Sequence, residues 1–384
     1  MILTLTIILI LSFVPVQIDR NITYIIILFA LTRLPLLLKN FRKIFLEKKA
    51  LIVLFFIFLF SMTLSTIYSI NIKQSLPNLA LFWSYFVIFL TSGLIFNTNK
   101  KKEILAFVII LITVCLSIIS FYNTLILGYN NREPEGTSFM WLYFGHNHLS
   151  ALLLFSIPLT FYFLVKNWQN LRKRGLILVT FLFLVVSLYL TFARASFISL
   201  LLVLMVSAIL FKLVSRKIAI IFSIFLLITG TVLFFDLSSN AKNIKLYKSP
   251  DLEVRLVYWE QAIKNATKNP LFGTGLDTYR FSEFSSAKDK ILHTYFAHNF
   301  FMQMLSDAGI LGLSSSISLM VFLLYQSFKR VRKKLKLPEG QLMLVMWMGL
   351  LASTLNSLVD FDWQLPSVLL IYWILLALCN DVHD

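Results

Sequence analysis

Apolar runs near residues 1–18, 21–38, 50–68, 76–96, 103–127 and 148–165, and again near 175–193, 195–211, 218–235, 298–328, 341–358 and 364–380, dominate this chain. Each is long enough, or nearly so, for a helix to cross about 30 Å of hydrocarbon. The pattern predicts an all-α polytopic membrane protein with about twelve transmembrane helices in a single membrane domain over 1–384. Composition agrees, since 58% of the residues are hydrophobic, mean hydropathy is +0.82 and only 14% are charged. A soluble globular domain carries about a quarter charged residues, so that class is excluded.

The net charge of +17 suggests nucleic acid at first sight, but the basic residues fall in short blocks between the apolar runs. With the N-terminus in the cytoplasm, the loops on that side are 39–49, 97–103, 166–174, 212–217 and 329–336, holding five, three, four, three and six basic residues. The opposite short loops hold few basic residues and several acids. The positive-inside rule therefore reads the charge as a topology signal, puts both termini in the cytoplasm and excludes a nucleic-acid partner. The opening run "MILTLTIILILSFV" has neither a basic start nor a small-residue cleavage site, so it reads as a retained membrane helix.

Two outer connections break the economy of short loops: a smaller one at 128–147 and a larger one at 236–297 with nine basic and seven acidic residues. A long insertion in a compact protein is usually functional. Within it, "SPDLEVRLVYWEQAIKNATKNP" (249–270) predicts a helix with Ser249 as N-cap, Pro250 in the first turn and an end before Pro270. Arg255, Trp259 and Ala262 then share one face. Gly273 and Gly275 mark a turn packed closely on a neighbour.

Chemistry is concentrated near this segment. His298 heads "HNFFMQMLSDAGILGL", where Leu305, Gly309 and Gly312 point to tight helix packing. Imidazole, with a pKa near 6.5, can accept a proton from a hydroxyl at neutral pH. Arginine stays protonated and cannot. Arg194, in a turn of almost no length between two apolar runs, is either an interfacial anchor for lipid phosphate or an anion site. Arg255 reads as a surface arginine paired with Asp251 or Glu253, or as a second anion-binding group near Arg280. His293 is a weaker base candidate. Tyr258 and Trp259 offer rings for a sugar or for the interface. Asp360 and Asp362, in "NSLVDFDWQLP", orient the base, bind a sugar or end a helix. His146 and His148 with His293 and His298 lack helical ligand spacing and nearby thiolates for a zinc site. The two cysteines, Cys115 and Cys379, lie in apolar runs and supply neither a disulfide framework nor a metal cluster. No cofactor is expected.

The order of these elements resembles the family of O-antigen ligases and O-antigen polymerases, with the related protein O-oligosaccharyltransferases. "RLVYWEQA", "NPLFGTG" and "HNFFMQMLSDAGILG" are similar to the family's arginine before W-x-x-A, proline with G-x-G, and H-N at a helix start. "FARASF" is similar to its arginine between adjacent helices. The resemblance implies a GT-C-like glycosyltransferase in the inner (cytoplasmic) membrane, its site facing the periplasm. It implies transfer of a glycan from undecaprenyl diphosphate without a metal, with inversion at the anomeric carbon. Carried over, Arg194 and Arg255 hold the diphosphate and His298 activates the acceptor. The preferred acceptor is a lipid A core oligosaccharide, as in a ligase; extension of the carrier-linked glycan by a polymerase is the alternative. A lipid-linked oligosaccharide transporter would instead distribute cationic or proton-relay residues through the bilayer centre, and a noncatalytic membrane scaffold would leave Arg194, Arg255 and His298 apart in space.

Overall fold

The computed structural model describes residues 19–125, 146–191, 193–212, 252–282 and 294–380. Among these the fold is all-α, with twelve α-helices: α1 (Asp19–Leu31), α2 (Leu34–Glu47), α3 (Lys49–Ile67), α4 (Ile72–Ile95), α5 (Asn99–Leu125), α6 (His146–Lys166), α7 (Leu171–Leu190), α8 (Arg194–Leu210), α9 (Leu252–Lys268), α10 (Phe300–Lys334), α11 (Pro338–Asn356) and α12 (Pro366–Asn380). Short 3-10 turns at Tyr279–Phe281 and Asp362–Gln364 complete the description.

The expectation of about twelve membrane helices is overturned. Six of the described helices are long and apolar enough to cross a membrane, namely α3, α4, α5, α6, α7 and α10, or seven if α1 and α2 form one bent span. An apolar run is not yet a straight helix of about 20 residues. The run at 21–38 bends by 59° between α1 and α2. Those at 195–211 and 364–380 fold as helices of only 17 and 15 residues. The run at 341–358 folds into α11, whose 19 residues also take in Glu339 and include Gln341 and Asn356. The expected helices at 1–18 and 218–235 lie outside the described residues, as do most of the 128–147 loop and residues 236–251 and 283–293 of the larger one. The six long helices nevertheless make this a multi-pass membrane protein.

Packing sorts the helices by their faces. α6 and α12 are buried almost throughout, while α7 is only 17% buried and turns Leu176, Val179, Leu182 and Val186 outward. An outer helix with apolar residues on its free side is what lipid requires. α6 packs on α11 and α10 packs on α3. Aromatic side chains fill the centre: Phe55, Phe89 and Trp373 meet with ring centroids 5.0 to 5.8 Å apart.

One end of the bundle gathers the polar segments. There the α3–α4 turn receives residues 269–282: the Ile70 amide donates to the Thr274 carbonyl at 2.9 Å, and the Ser75 hydroxyl donates to the Leu276 carbonyl at 2.9 Å. α10 is broken at Gly309 (φ +64°, ψ −164°), and the same segment repairs it. The Ile310 and Leu311 amides donate to the Pro270 and Leu271 carbonyls at 2.9 and 3.4 Å. In return the carbonyls of Ser306 and Asp307, which the break sets free, accept from the Thr274 and Gly275 amides at 3.0 and 2.9 Å. Backbone polar groups at membrane depth must be satisfied by protein, and here a loop and a broken helix satisfy each other. The close packing read from Gly273, Gly275 and Gly309 is present: a Cβ at Gly273 would overlap the Asp307 backbone, one at Gly275 would overlap Ser69, and one at Gly309 would overlap Leu271.

Gly273 also has φ +70°. We expect Gly273→Ala to destabilise the protein by more than the ~1 kcal/mol charged for a left-handed alanine, because the methyl must also displace α10. Thermal unfolding in detergent micelles measures this, and an unchanged midpoint would refute the exchange described above.

Candidate functional site

His298 is built in by its neighbours rather than by its own helix. Asn299 caps α10, its side-chain carbonyl accepting from the Phe301 and Met302 amides at 2.9 and 3.1 Å. A side-chain N-cap sets where a helix begins. His298, one residue earlier, takes the left-handed conformation with φ +50°, which is uncommon outside glycine and clusters at functional sites. Its half-buried ring lies against Tyr258 of α9 (centroids 5.4 Å, 23° between planes) and edge-on to Phe361 of the α11–α12 turn (4.6 Å, 75°). Three elements distant in sequence therefore fix one imidazole.

Behind that ring stands a buried carboxylate. Asp307, 1% exposed, accepts from the Asp277 and Tyr279 amides at 2.9 and 3.2 Å and from the Gln303 side-chain amide at 2.9 Å. The Gln303 carbonyl oxygen in turn accepts from the amide of Ala297, the residue before His298, at 2.8 Å. Tyr279 donates its hydroxyl to the Tyr258 carbonyl at 3.0 Å. Asp307 thus supports both the chain entering His298 and the ring stacked upon it.

Arg255 projects from α9 with 13% of its side chain exposed, and its Nη2 lies 4.0 Å from Oδ2 of Asp360, which is 2% exposed. At that distance the pair is an electrostatic contact whose guanidinium retains donors for a further anion. Trp259, one turn further along α9, is half-buried, and its Nε1 is shielded with no hydrogen-bond partner among the described residues. Asp362 joins the carboxylate group: its Oδ2 accepts from the Asn356 side-chain amide, while its buried Oδ1 has no partner among the described residues. Burial first, and the neighbouring Asp360 charge second, hold its carboxyl well above the usual range, against the opposing pull of Asn356 and Arg255.

Arg194 is the first residue of α8. Two residues later Ser196 donates to the Asn356 side-chain carbonyl at 3.1 Å and bonds Ser150 of α6 at 2.8 Å. Asn356 reaches Asp362, so the start of α8, the start of α6 and the Asp360–Asp362 turn share one buried network. His148, in the first turn of α6, is buried and edge-on to Phe361 (5.4 Å, 73°).

Of the candidates read from sequence, His298 meets Tyr258 and Arg255 meets Asp360; Trp259 shares α9 with Tyr258 and Arg255, and Arg194 begins the helix whose Ser196 bonds Asn356. Arg280 is engaged nearby: Asp277 accepts from its Nη2 at 2.7 Å, and its guanidinium lies over the Tyr295 and Phe296 rings at 5.2 and 5.8 Å. Burial is the largest influence on Asp277 and raises its carboxyl despite that arginine. His293 lies outside the described residues, and so does the side chain of His146. Among the described residues no three histidine, cysteine or acidic side chains converge to hold a metal ion.

Sequence reading missed Phe361, Gln303, Asp307, Ser150, Ser196 and Asn356. Apart from Gln303, whose partners Ala297 and Asp307 are close in sequence, each acts through a partner far away in the chain, and "RAS" or "NSLVDFD" shows polar residues at helix ends without showing what they meet.

Residues 179–317 match the family model described as O-antigen ligase. That segment contains Arg194, Arg255, Tyr258, Trp259, Arg280, His293 and His298; Asp360 lies beyond it. No curated protein matches the chain.

Asp362 yields a prediction with a definite sign. Its folded-state pKa is raised above the unfolded value of about 3.9, so through that window the folded protein binds more protons and stability falls as pH rises. Asp362→Asn keeps an acceptor for Asn356 and carries no charge. We expect wild type and variant to melt alike near about pH 4 and the variant to melt higher as pH rises; parallel curves would show that the carboxyl is ionised without penalty.

Proposed function

We propose that the protein is a glycosyltransferase of the O-antigen ligase kind, moving a glycan from undecaprenyl diphosphate onto an acceptor hydroxyl of a lipid A core oligosaccharide. The observation that carries this reading is the meeting, at one end of the bundle, of an imidazole held in a left-handed turn, a buried arginine–carboxylate contact and a helix beginning with arginine. The match of residues 179–317 to the O-antigen ligase family supports it. Following the positive-inside argument, this end faces the periplasm and the basic connections face the cytoplasm, which gives an inner-membrane protein with cytoplasmic termini. The single membrane domain carries residues 236–297 as its principal periplasmic segment.

In the proposed reaction His298 accepts the proton of the acceptor hydroxyl as its oxygen attacks the anomeric carbon. The bond from that carbon to the diphosphate oxygen breaks, its electron pair leaves with undecaprenyl diphosphate, and the anomeric centre inverts. Diphosphate is a good leaving group, so Arg194 and Arg255 need only hold it and offset its charge. Asp360 fixes the Arg255 guanidinium and limits its approach to the base. Tyr258 presents the imidazole, and the half-buried Trp259 ring offers a face for a sugar. Arg280, ordered by Asp277, and His293 complete the candidate substrate-binding set. No step requires a metal ion or cofactor.

In proteoliposomes containing undecaprenyl diphosphate-linked glycan and lipid A core, the wild type is expected to form glycan-bearing core in the presence of chelator. His298→Ala should lower the rate by about 10²- to 10⁴-fold. Arg255→Gln should lower it by about 10²-fold or more, as loss of a preorganised charge-stabilising group does. Lengthened carrier-linked glycan in place of modified core would identify a polymerase. Absence of any glycosidic product from folded protein would reject glycosyl transfer.

A further inference from the structure

The α1–α2 elbow sits at the end of the bundle opposite the candidate site, beside the end of α4. Arg33, its hinge residue, lines a narrow cleft with Phe29, Thr91, Ser92 and Phe96. The 59° bend turns α2 away from the course of α1, with Pro35 in its first turn.

α2 has two kinds of apolar residue. Leu37 and Ile44, two turns apart, are buried, with Phe41 and Phe45 half-buried beside them, and the helix packs on α4 and α3. Leu34, Leu38 and Leu46 are 37%, 70% and 70% exposed. Lys39, Arg42 and Lys43 are exposed among them, and the only acid in the helix, Glu47, lies 3.9 Å from Lys43. Leucines open to the surroundings beside uncovered cations suit neither bulk water nor the hydrocarbon centre. They suit the boundary, where apolar side chains dip below the headgroups and basic ones meet phosphate.

Arg33 adds a more specific feature. Its guanidinium carbon lies 4.7 Å from the Phe29 ring centroid, and its Nε is shielded without a hydrogen-bond partner. Arg33 as a whole is only half-buried, and a phosphate oxygen is a fitting acceptor for a guanidinium held in this way. The nearby Thr91 and Ser92 hydroxyls donate back to α4 carbonyls, so they do not compete with an arginine for an anion.

We propose that α2 lies in the membrane–water interface and, with Arg33, forms a binding site for anionic phospholipid headgroups in the leaflet opposite the candidate catalytic site. Arg33 takes the phosphate, Lys39, Arg42 and Lys43 supply the surrounding positive field, and Leu34, Leu38 and Leu46 enter the acyl boundary. The inference is independent of glycan transfer.

Two measurements test it on the full-length protein. With Cys115 and Cys379 replaced, nitroxides at positions 38 and 46 are compared for depth in phosphatidylglycerol-containing nanodiscs. An interfacial helix puts both at similar shallow depth, about 5–10 Å below the headgroups. If α2 instead continues a crossing span, eight residues at about 1.5 Å each separate them by roughly 12 Å along the helix, and the proposal fails. Second, lipids retained from mixed phosphatidylglycerol and phosphatidylcholine vesicles are counted by native mass spectrometry. Arg33→Gln should reduce phosphatidylglycerol retention about fivefold, and a triple Lys39→Gln, Arg42→Gln, Lys43→Gln variant more, since each basic group near an anionic surface is worth about that factor. Equal loss from a triple Arg172→Gln, Lys173→Gln, Arg174→Gln control would reduce the effect to net charge and overturn the specific site. Unchanged retention in the α2 variants would do the same.

Discussion

The exchange of backbone hydrogen bonds across the break at Gly309 is the constraint on which the site-bearing end depends. A helix that loses its continuity inside an apolar bundle leaves amides and carbonyls that lipid cannot satisfy. Residues 270–275 supply carbonyls to Ile310 and Leu311 and take the carbonyls of Ser306 and Asp307 for their own amides. Neither partner is complete alone. The segment before α10 is thereby fixed to the bundle, and the Asp307 carboxylate, which would be costly if unsatisfied, is surrounded by three donors.

The position of His298 follows from that fixed support. Gln303 and Tyr279, both held by Asp307, set the backbone entering His298 and the ring against it. Phe361 closes the other side, bringing the α11–α12 turn, its two buried carboxylates and Arg255 to the same place. A base in this arrangement gains its position from packing, while the arginines gain theirs from paired acids and helix ends. In the proposed reaction, preorganised charge of this kind would assist departure of a diphosphate. The family match spans the residues that would do the chemistry, whereas much of the wall that positions them, including Asn356, Phe361 and Asp362, comes from the chain beyond residue 317.

The two ends differ in how they handle charge. Near His298 the acids are buried and committed to amides or arginines. At the other end, basic residues occupy short connections and the exposed side of α2, and ion pairs such as Lys166–Glu103 sit at helix ends. Such a division suits the proposed one-sided activity, in which buried partners would create a site and exposed cations would register the protein against a leaflet.

The sequence by itself determined the all-helical membrane class, the helix carrying Arg255 and Trp259, the start of α10 at His298–Asn299 and the close approach at Gly273 and Gly275. These are local matters of hydropathy, capping and glycine, and they can be read without knowing what lies across the bundle. Span number was misread because hydropathy measures how apolar a run is and cannot see the bend at Arg33 or the short α8 and α12. Only the tertiary structure decided that His298 meets Phe361, that Arg255 lies beside Asp360, and that Ser196 joins the helix of Arg194 to Asp362 through Asn356. The His298–Phe361, Arg255–Asp360 and Ser196–Asn356 pairings span from 63 to 160 residues of chain, and such contacts are selected by packing of whole helices, which no local pattern encodes.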